Sequence, residues 1–308
     1  MEQFPDRPQS KRICGHSLSN PESCGEDLEE NLNRTIAMAP SHCAGCADYH
    51  IANATVRLLD NAPWRRGAGK ALLEALQPIF TRLKAGNTNP IDVVAAACAD
   101  TAVLSACAHA AWIEDPQMLK RIRHTVIDRC PTPLALCEEF AARHDLQIRT
   151  NRVDLSNTER TFPADLIVLH NLLPFIPQDR HVGMLRQLGS WLKSGGRMVL
   201  WQLVIPPEDR DGDVLTRIKR VADMKAMVES GRITISETKE TFFARLDRYA
   251  DDNRPGQPRS PDTAALRSLI ASAGLEISSI EEFPHNCPHR SKLYVMIVAG
   301  RPSIASGD

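Results

Sequence analysis

Between Pro90 and Leu203 the chain switches repeatedly between two hydrophobic periods, and that switching limits the fold more than any single residue does. "IDVVAAACA" is a continuous apolar run of the kind found in a strand buried on both faces. "DTAVLSACAHAAW" comes next, with a helical pattern. "RHTVIDR" is a second strand, closed by "CPTP", and "PLALCEEFAARHD" is a helix with an apolar stripe. "LQIRTNRVD" and "ADLIVLHNLL" are strands, "RHVGMLRQLGSWLKSGG" is a helix ended by paired glycines, and "RMVLWQLVI" is a fifth strand. Short connections in this order imply parallel strands joined by right-handed crossovers. The expected class is α/β: an open, mostly parallel sheet with helices on both faces.

After Ile205 the pattern changes. "DVLTRIKRVADMKAMVESG" and "TKETFFARLDRYADD" are amphipathic helices with no strand between them, and "NRPGQPRSP" is a loop. They form a helical insertion over about residues 206–260 that either covers a substrate or makes the face of a homodimer. "DTAALRSLIASAG" is a helix with Asp262 as N-cap and Gly274 as C-cap. "LEISSIEEF" and "SKLYVMIVAGRP" are joined by "PHNCPHR" without a helix, so they are expected to be an antiparallel pair at a sheet edge. Ahead of the first strand, residues 1–40 are polar and lack a clear period, as in a mobile or wrapping arm. Residues 41–86 hold two helices broken by Pro63 and Gly67 and stopped at Gly86, expected to act as a lid. Residues 87–308 make the sheet domain.

Bulk properties remove several classes of function. The net charge is -1 and no Lys/Arg run forms a basic arm, which argues against a nucleic-acid partner. No apolar stretch approaches the ~20 residues of a membrane helix. "MEQFPDRPQSKRICGHS" lacks the apolar core of a signal peptide, so the expected location is the cytoplasm. Of the nine cysteines, Cys98, Cys107, Cys130 and Cys137 fall in strand or helix patterns and read as small buried hydrophobes. Cys43, Cys46 and His50 lie close on a helical stretch and, with Cys14 or Cys24, would supply the four N/S ligands of zinc. A lone C-x-x-C is a weak signal, however, and no metal is assigned; the thiols are read as buried or unpaired against the arm. His285, Cys287 and His289 read as a solvated turn.

In an open parallel sheet, ligands sit beyond the carboxyl ends of the strands at the switch in strand order. The candidates are therefore Ala97, Ala99 and Asp100 after the first strand, Asp128 and Arg129 after the second, Asp154 and Leu155 after the third, and His170 and Asn171 after the fourth. Each suits part of a nucleoside. Asp128 can accept hydrogen bonds from both ribose hydroxyls, because both carboxylate oxygens are acceptors. Asp154 can accept from an adenine amino group while Leu155 covers the ring. The first turn needs small residues to let the backbone approach.

On these residues the chain resembles the class I S-adenosylmethionine-dependent methyltransferases, over roughly Pro90 to Pro302. "HTVIDRCPTPLALCEEFA" resembles the family's second-strand motif, with Asp128 in the ribose place, and "NRVDLSN" its adenine motif, with Asp154. "ADLIVLHNLLPFIP" is similar to its fourth-strand motif and "LGSWLKSGGRMVLWQ" to its helix-turn-strand segment, the most specific part of the match. The resemblance implies a Rossmann-like sheet and S-adenosylmethionine as cofactor. It also implies a lid over the site, with Tyr49 hydrogen-bonding a carboxylate and Arg57 pairing with one. His170 and Asn171 would stand near the sulfonium, and His170 or His50 would serve as general base where the acceptor carries a proton.

The first turn departs from the family's E/D-x-G-x-G-x-G: Ala95, Ala97, Ala99 and Thr101 stand there instead. Alanine tolerates close packing but not a positive φ. The turn is expected to form with negative dihedrals, leaving Asp100 to receive the cofactor's amino group. S-adenosylmethionine has no pyrophosphate, so the loss of glycines harms its binding less than that of a dinucleotide. Three functions remain open: methyl transfer to a small molecule; consumption of the cofactor alone, as in azetidine-carboxylate synthases, with methylthioadenosine leaving; and non-catalytic binding.

Overall fold

A computed structural model describes residues 26–43, 45–59, 63–86, 90–204, 213–251, 262–287 and 290–302. Three helices, α1 (Glu26–His42), α2 (Ala47–Leu59) and α3 (Pro63–Ala85), precede the first strand. Then come β1 (Ile91–Ala96), α4 (Ala102–Glu114), β2 (Ile122–Asp128), α5 (Pro131–His144), β3 (Gln147–Arg152), β4 (Ala164–His170), α6 (His181–Trp191) and β5 (Leu192–Val204). The rest of the chain forms α7 (Asp213–Glu229), α8 (Lys239–Asp251), α9 (Thr263–Ser272), β6 (Glu276–Cys287) and β7 (Arg290–Gly300). The strands make one seven-stranded sheet in the order β3-β2-β1-β4-β5-β7-β6. The first five are parallel, and β7 runs antiparallel between β5 and β6.

Side-chain alternation along the strands splits the core into two layers. Val93, Ala95, Leu166 and Val168 face α3, α4 and α5, where Leu76, Phe80, Leu104 and Phe140 are buried. Val94, Ala96, Ile167 and Leu169 face α6 and α9, where Leu185, Leu188, Leu266 and Ile270 are buried. The two most apolar of the parallel strands, β1 and β4, are central, each with one aspartate near its amino end, whereas "QIRTNR" of β3 lies at an edge and is half exposed. At the amino ends of the strands Lys193 bridges Asp92 at 2.6 Å and Asp165 at 2.7 Å, at the opposite side of the sheet from the carboxyl tips. The glycines expected to end α6 lie inside β5. A Cβ on Gly196 would meet the Ala164 carbonyl at 3.0 Å, so glycine permits the close approach where the β4–β5 register shifts.

A third core lies outside the sheet. Leu32 and Ile36 of α1, Ile51 and Ala52 of α2, Met224 of α7 and Phe242 and Leu246 of α8 bury one another. Arg245 and Arg248 of α8 each reach Asp48 at 2.8 Å, fixing α8 to the first turn of α2. The apolar residues described from Val221 of α7 to Leu246 of α8 are thus covered within the chain, against α1 and α2. Helix α1 begins at Glu26, inside the stretch whose composition resembles an arm; burial of Leu32, Ile36 and Ala39 sustains a helix that its polar residues alone would not. Cys14 and Cys24 lie outside the described residues, as do His289 and the side chains of His285 and Cys287.

Candidate active site at the strand tips

Strand order reverses between β1 and β4, and the carboxyl ends of these two strands open the crevice where an α/β sheet takes its ligand. At the first tip the Ala97 N–H donates to the Ile127 carbonyl at 2.9 Å, and the chain then turns with Ala97 at φ 57°. The sequence predicts negative dihedrals here; the turn is left-handed instead. The cause is geometric, because Ala97 is still bonded to β2 while α4 starts only five residues later, and the left-handed bend makes that connection. The strain on a non-glycine residue is about 1–2 kcal/mol. Asp100 steadies the start of α4, its Oδ1 accepting the Ala102 N–H at 2.8 Å.

Asp100 is only 3% exposed, and its other oxygen is ion-paired with Arg57 of α2. The carboxylate expected to receive an amino group therefore holds a guanidinium in this state. A buried carboxylate needs a counter-charge, and the cap supplies one. Ala99 is half-buried beside it.

At the second tip, Oδ1 of Asp128 accepts the Cys130 N–H at 2.7 Å, and the residue is half-buried. Burial pushes its pKa up to about 6, against the pull of the Cys130 amide and the Arg129 charge. Arg129 itself is exposed. Tyr49 of α2 stands close enough for the Asp128 charge to act on it; burial first, then the neighbouring Tyr249 and Asp128, holds the phenol well above its ordinary pKa, so it stays protonated. Its ring meets Phe175 edge-on at 5.2 Å.

The third tip is more open. Asp154 Oδ1 accepts from the Ser156 N–H at 2.9 Å and the Ser156 hydroxyl at 2.7 Å. Burial raises the Asp154 pKa, but these bonds and the charges of Arg129 and Arg180 outweigh it, and the net shift is downward. Leu155 is buried against the sheet and borders a cleft of about 440 Å³ whose other walls are Ser156–Glu159, Asp179, Arg180 and α6. At the fourth tip, His170 packs on Trp201 with ring centroids 4.4 Å apart. Asn171 is left-handed at φ 48°, its N–H donating to Trp201 O at 2.7 Å and its Oδ1 accepting from Gln202 Nε2 at 2.7 Å.

The residues expected at the site thus fall in two groups. Ala97, Asp100, Asp128, Asp154, His170 and Asn171 all stand at the carboxyl ends of the strands, with Arg57 and Tyr49 brought down on the first two tips by α2. His50 has different company: its ring is 3% exposed, and its donor atom lies within 4.8 Å of the sulfurs of Cys43, Cys46 and Cys130. Cys130 is therefore not merely a small hydrophobe. Phe175 and Tyr249 beside Tyr49, and Trp201 beneath His170, carry no sequence signal beyond their size.

No protein-family model matches the chain, and no curated protein matches its sequence. Among solved structures it is similar to an O-methyltransferase family protein from Burkholderia thailandensis, at 12% identity and TM-score 0.49, over 88% of this chain and 64% of that one. It is also similar to the N-methyltransferase NodS from Bradyrhizobium japonicum WM9, at 13% identity and TM-score 0.44, over 79% of this chain and 99% of that one. The same protein in complex with S-adenosyl-L-homocysteine aligns at 14% identity and TM-score 0.42, over 78% of this chain and 89% of that one. The chain spans less than two thirds of the Burkholderia protein's length. The strand order, with β7 antiparallel to both of its neighbours, is that of a Rossmann-like methyltransferase sheet. No helix among the described residues is long and apolar enough to cross a membrane.

Proposed function

We propose that the chain is an S-adenosylmethionine-dependent transferase acting on a small molecule, with methyl transfer as its reaction. The observation that carries this reading is Asp128. It is a half-buried carboxylate at the tip of β2, steadied by the Cys130 amide at 2.7 Å, beside the left-handed turn at Ala97. The donor set fits the group. Asp128 would accept from the ribose hydroxyls, and Asp154 with Leu155 would hold the adenine. Half-buried Arg57 and buried Asp100 form a pair of opposite charges, the complement of the zwitterionic amino-acid end. In this assignment Arg57 exchanges Asp100 for the ligand carboxylate, and Asp100 takes the ammonium.

When bound, S-adenosylmethionine supplies an electrophilic carbon on a sulfonium. The protein's part is to position and desolvate. His170 and Asn171 stand at the switch point where the acceptor would meet that carbon. Asn171 is held by Gln202, so its placement is fixed; His170 is held by Trp201 and is the group suited to take a proton from a protonated acceptor. Tyr49 and Phe175, in edge-on contact, would shield the site from water.

The Arg57–Asp100 pair also favours a second reading, in which the clamped amino-acid nitrogen is itself the nucleophile and methylthioadenosine leaves. Mass spectrometry of the products separates the two. S-adenosylhomocysteine formed together with a methylated acceptor, when a small-molecule extract is added, supports methyl transfer. Methylthioadenosine formed from the cofactor alone supports cyclisation. Neither product under either condition counts against catalysis and leaves a binding protein.

A further inference from the structure

Cys43 and Cys46 belong to the joint between α1 and α2, His50 to the first turn of α2, and Cys130 is the N-cap of α5 after β2. Their donor atoms all lie within 4.8 Å of one another, with Cys46 Sγ and Cys130 Sγ 3.1 Å apart. A tetrahedral zinc ion with bonds of about 2.0–2.3 Å keeps its ligands about 3.4–3.8 Å from one another, so side-chain shifts of about 1 Å or less would close this cluster on an ion.

The surroundings point to an ion rather than to packing. His50 is 3% exposed, and neither of its ring nitrogens has a hydrogen-bond partner among the described residues. An orphaned buried imidazole is costly, and a metal bond is one of the few things that satisfies it. Cys43 and Cys130 are 3% and 8% exposed, so the ion would be enclosed. The Thr132 hydroxyl donates to Cys43 Sγ at 2.9 Å, the type of outer contact that orients a thiolate ligand. Cys130 is the N-cap of α5, and burial keeps its thiol protonated until an ion binds. Arg129 is the neighbouring positive charge. A Cys46–Cys130 disulfide would satisfy two sulfurs only and leave His50 and Cys43 as they are.

We propose that Cys43, Cys46, His50 and Cys130 bind one zinc ion in a closed structural site. Three thiols lose their protons to solvent as Zn²⁺ binds, and the neutral imidazole completes the four bonds; nothing is oxidised or reduced. Four protein ligands leave no open position for catalysis. The site ties the α1–α2 joint to the loop after β2, two residues beyond Asp128. It therefore holds in place the helix that carries Tyr49 and Arg57.

The test uses the full-length chain, produced without a histidine tag and purified under reducing conditions. Elemental analysis is expected to give one zinc per chain. Replacement by Co²⁺ is expected to give the intense visible bands of a tetrahedral thiolate-rich site, and this readout needs no mutant to fold. Cys46→Ser and Cys130→Ser should each lose the metal. Cys107→Ser and the double change Cys14→Ser/Cys24→Ser should keep it. Stripping zinc with a strong chelator should lower Tm, and adding zinc back should restore it. Absence of metal, iron or copper in its place, an octahedral cobalt spectrum, a Cys46–Cys130 disulfide in the fresh protein, or loss of zinc in the Cys14/Cys24 variant would each overturn the proposal.

Discussion

After β1 and after β4 the chain leaves the sheet by the same route. In both places an N–H stays bonded to the next strand, Ala97 to Ile127 and Asn171 to Trp201, and the same residue then turns left-handed. The side chains differ. Asn171 tolerates the left-handed region, and its Oδ1 accepts from Gln202 Nε2 at 2.7 Å and from the Leu203 N–H at 3.3 Å. Ala97 offers nothing. The β4 tip supports itself, while the β1 tip is supported by its surroundings: Asp100 bonded to the start of α4, and Arg57 descending from α2 onto Asp100. The half of the crevice that would hold the amino-acid end of a ligand is thus tied to the cap by an ion pair, whereas the segment after β4 meets the cap through the ring contact of Tyr49 with Phe175.

Removing the support from the first tip should have the largest effect. Arg57→Met leaves a buried carboxylate without its paired cation and should lower unfolding free energy by about 3–5 kcal/mol in urea titration. The double variant with Asp100→Asn should recover most of that loss. A loss below about 1 kcal/mol would mean that the tip does not depend on the cap.

At the β4 tip, Asn171→Ala removes the hydrogen bonds and places a strained residue there, a loss of about 2 kcal/mol. Asn171→Gly keeps the turn and should lose only about 1 kcal/mol. Equal losses in the two variants would show that hydrogen bonding alone matters.

Beneath the first tip lies a further difference. His124, paired in register with Val93, is 1% exposed, and neither ring nitrogen has a partner among the described residues. Burial pulls its pKa down to about 4. The unfolded chain takes up this proton near pH 6.5 and the native chain only near pH 4, so the neutral ring's stability is lost as pH falls through that window, by about 1.4 kcal/mol per pH unit. Stability should fall by about 2 kcal/mol between pH 7 and pH 5 on this account. Comparison of urea midpoints for wild type and His124→Leu checks it: the variant should lose markedly less on acidification. The smallest effect is the most specific one. Ala97→Gly should raise Tm, with a gain of about 1 kcal/mol from relief of the turn, whereas a drop would place the strain elsewhere.

Much of the scaffold is legible in the sequence because burial leaves its mark there. "IDVVAAACA" and "ADLIVLHNLL" are apolar through their middles, with Asp92 and Asp165 at the amino ends, and they are the two central strands at the switch. The strand-tip candidates come from that order alone. The features that cannot be read are set by tertiary contact. Nothing in "AAACAD" signals a left-handed alanine, because alanine's own preference opposes it and the need comes from the β1–α4 connection. Helix α1 looks polar until Leu32 and Ile36 meet α2. Cys130 lies in "IDRCPTP", 84 residues from Cys46, and no spacing rule joins them; folding α2 over the β2 tip does. Arg57 reads as a partner for a carboxylate, but only the fold shows that the carboxylate is Asp100.

Calorimetric titration with S-adenosylhomocysteine, on the wild type and on Asp128→Asn, tests the site most directly. Wild type should bind one equivalent, and the variant about 10–100-fold more weakly, the value of weakening hydrogen bonds to a charged acceptor. No binding to wild type, or equal affinity in the two proteins, would contradict the assignment of the β2 tip to an adenosyl ligand.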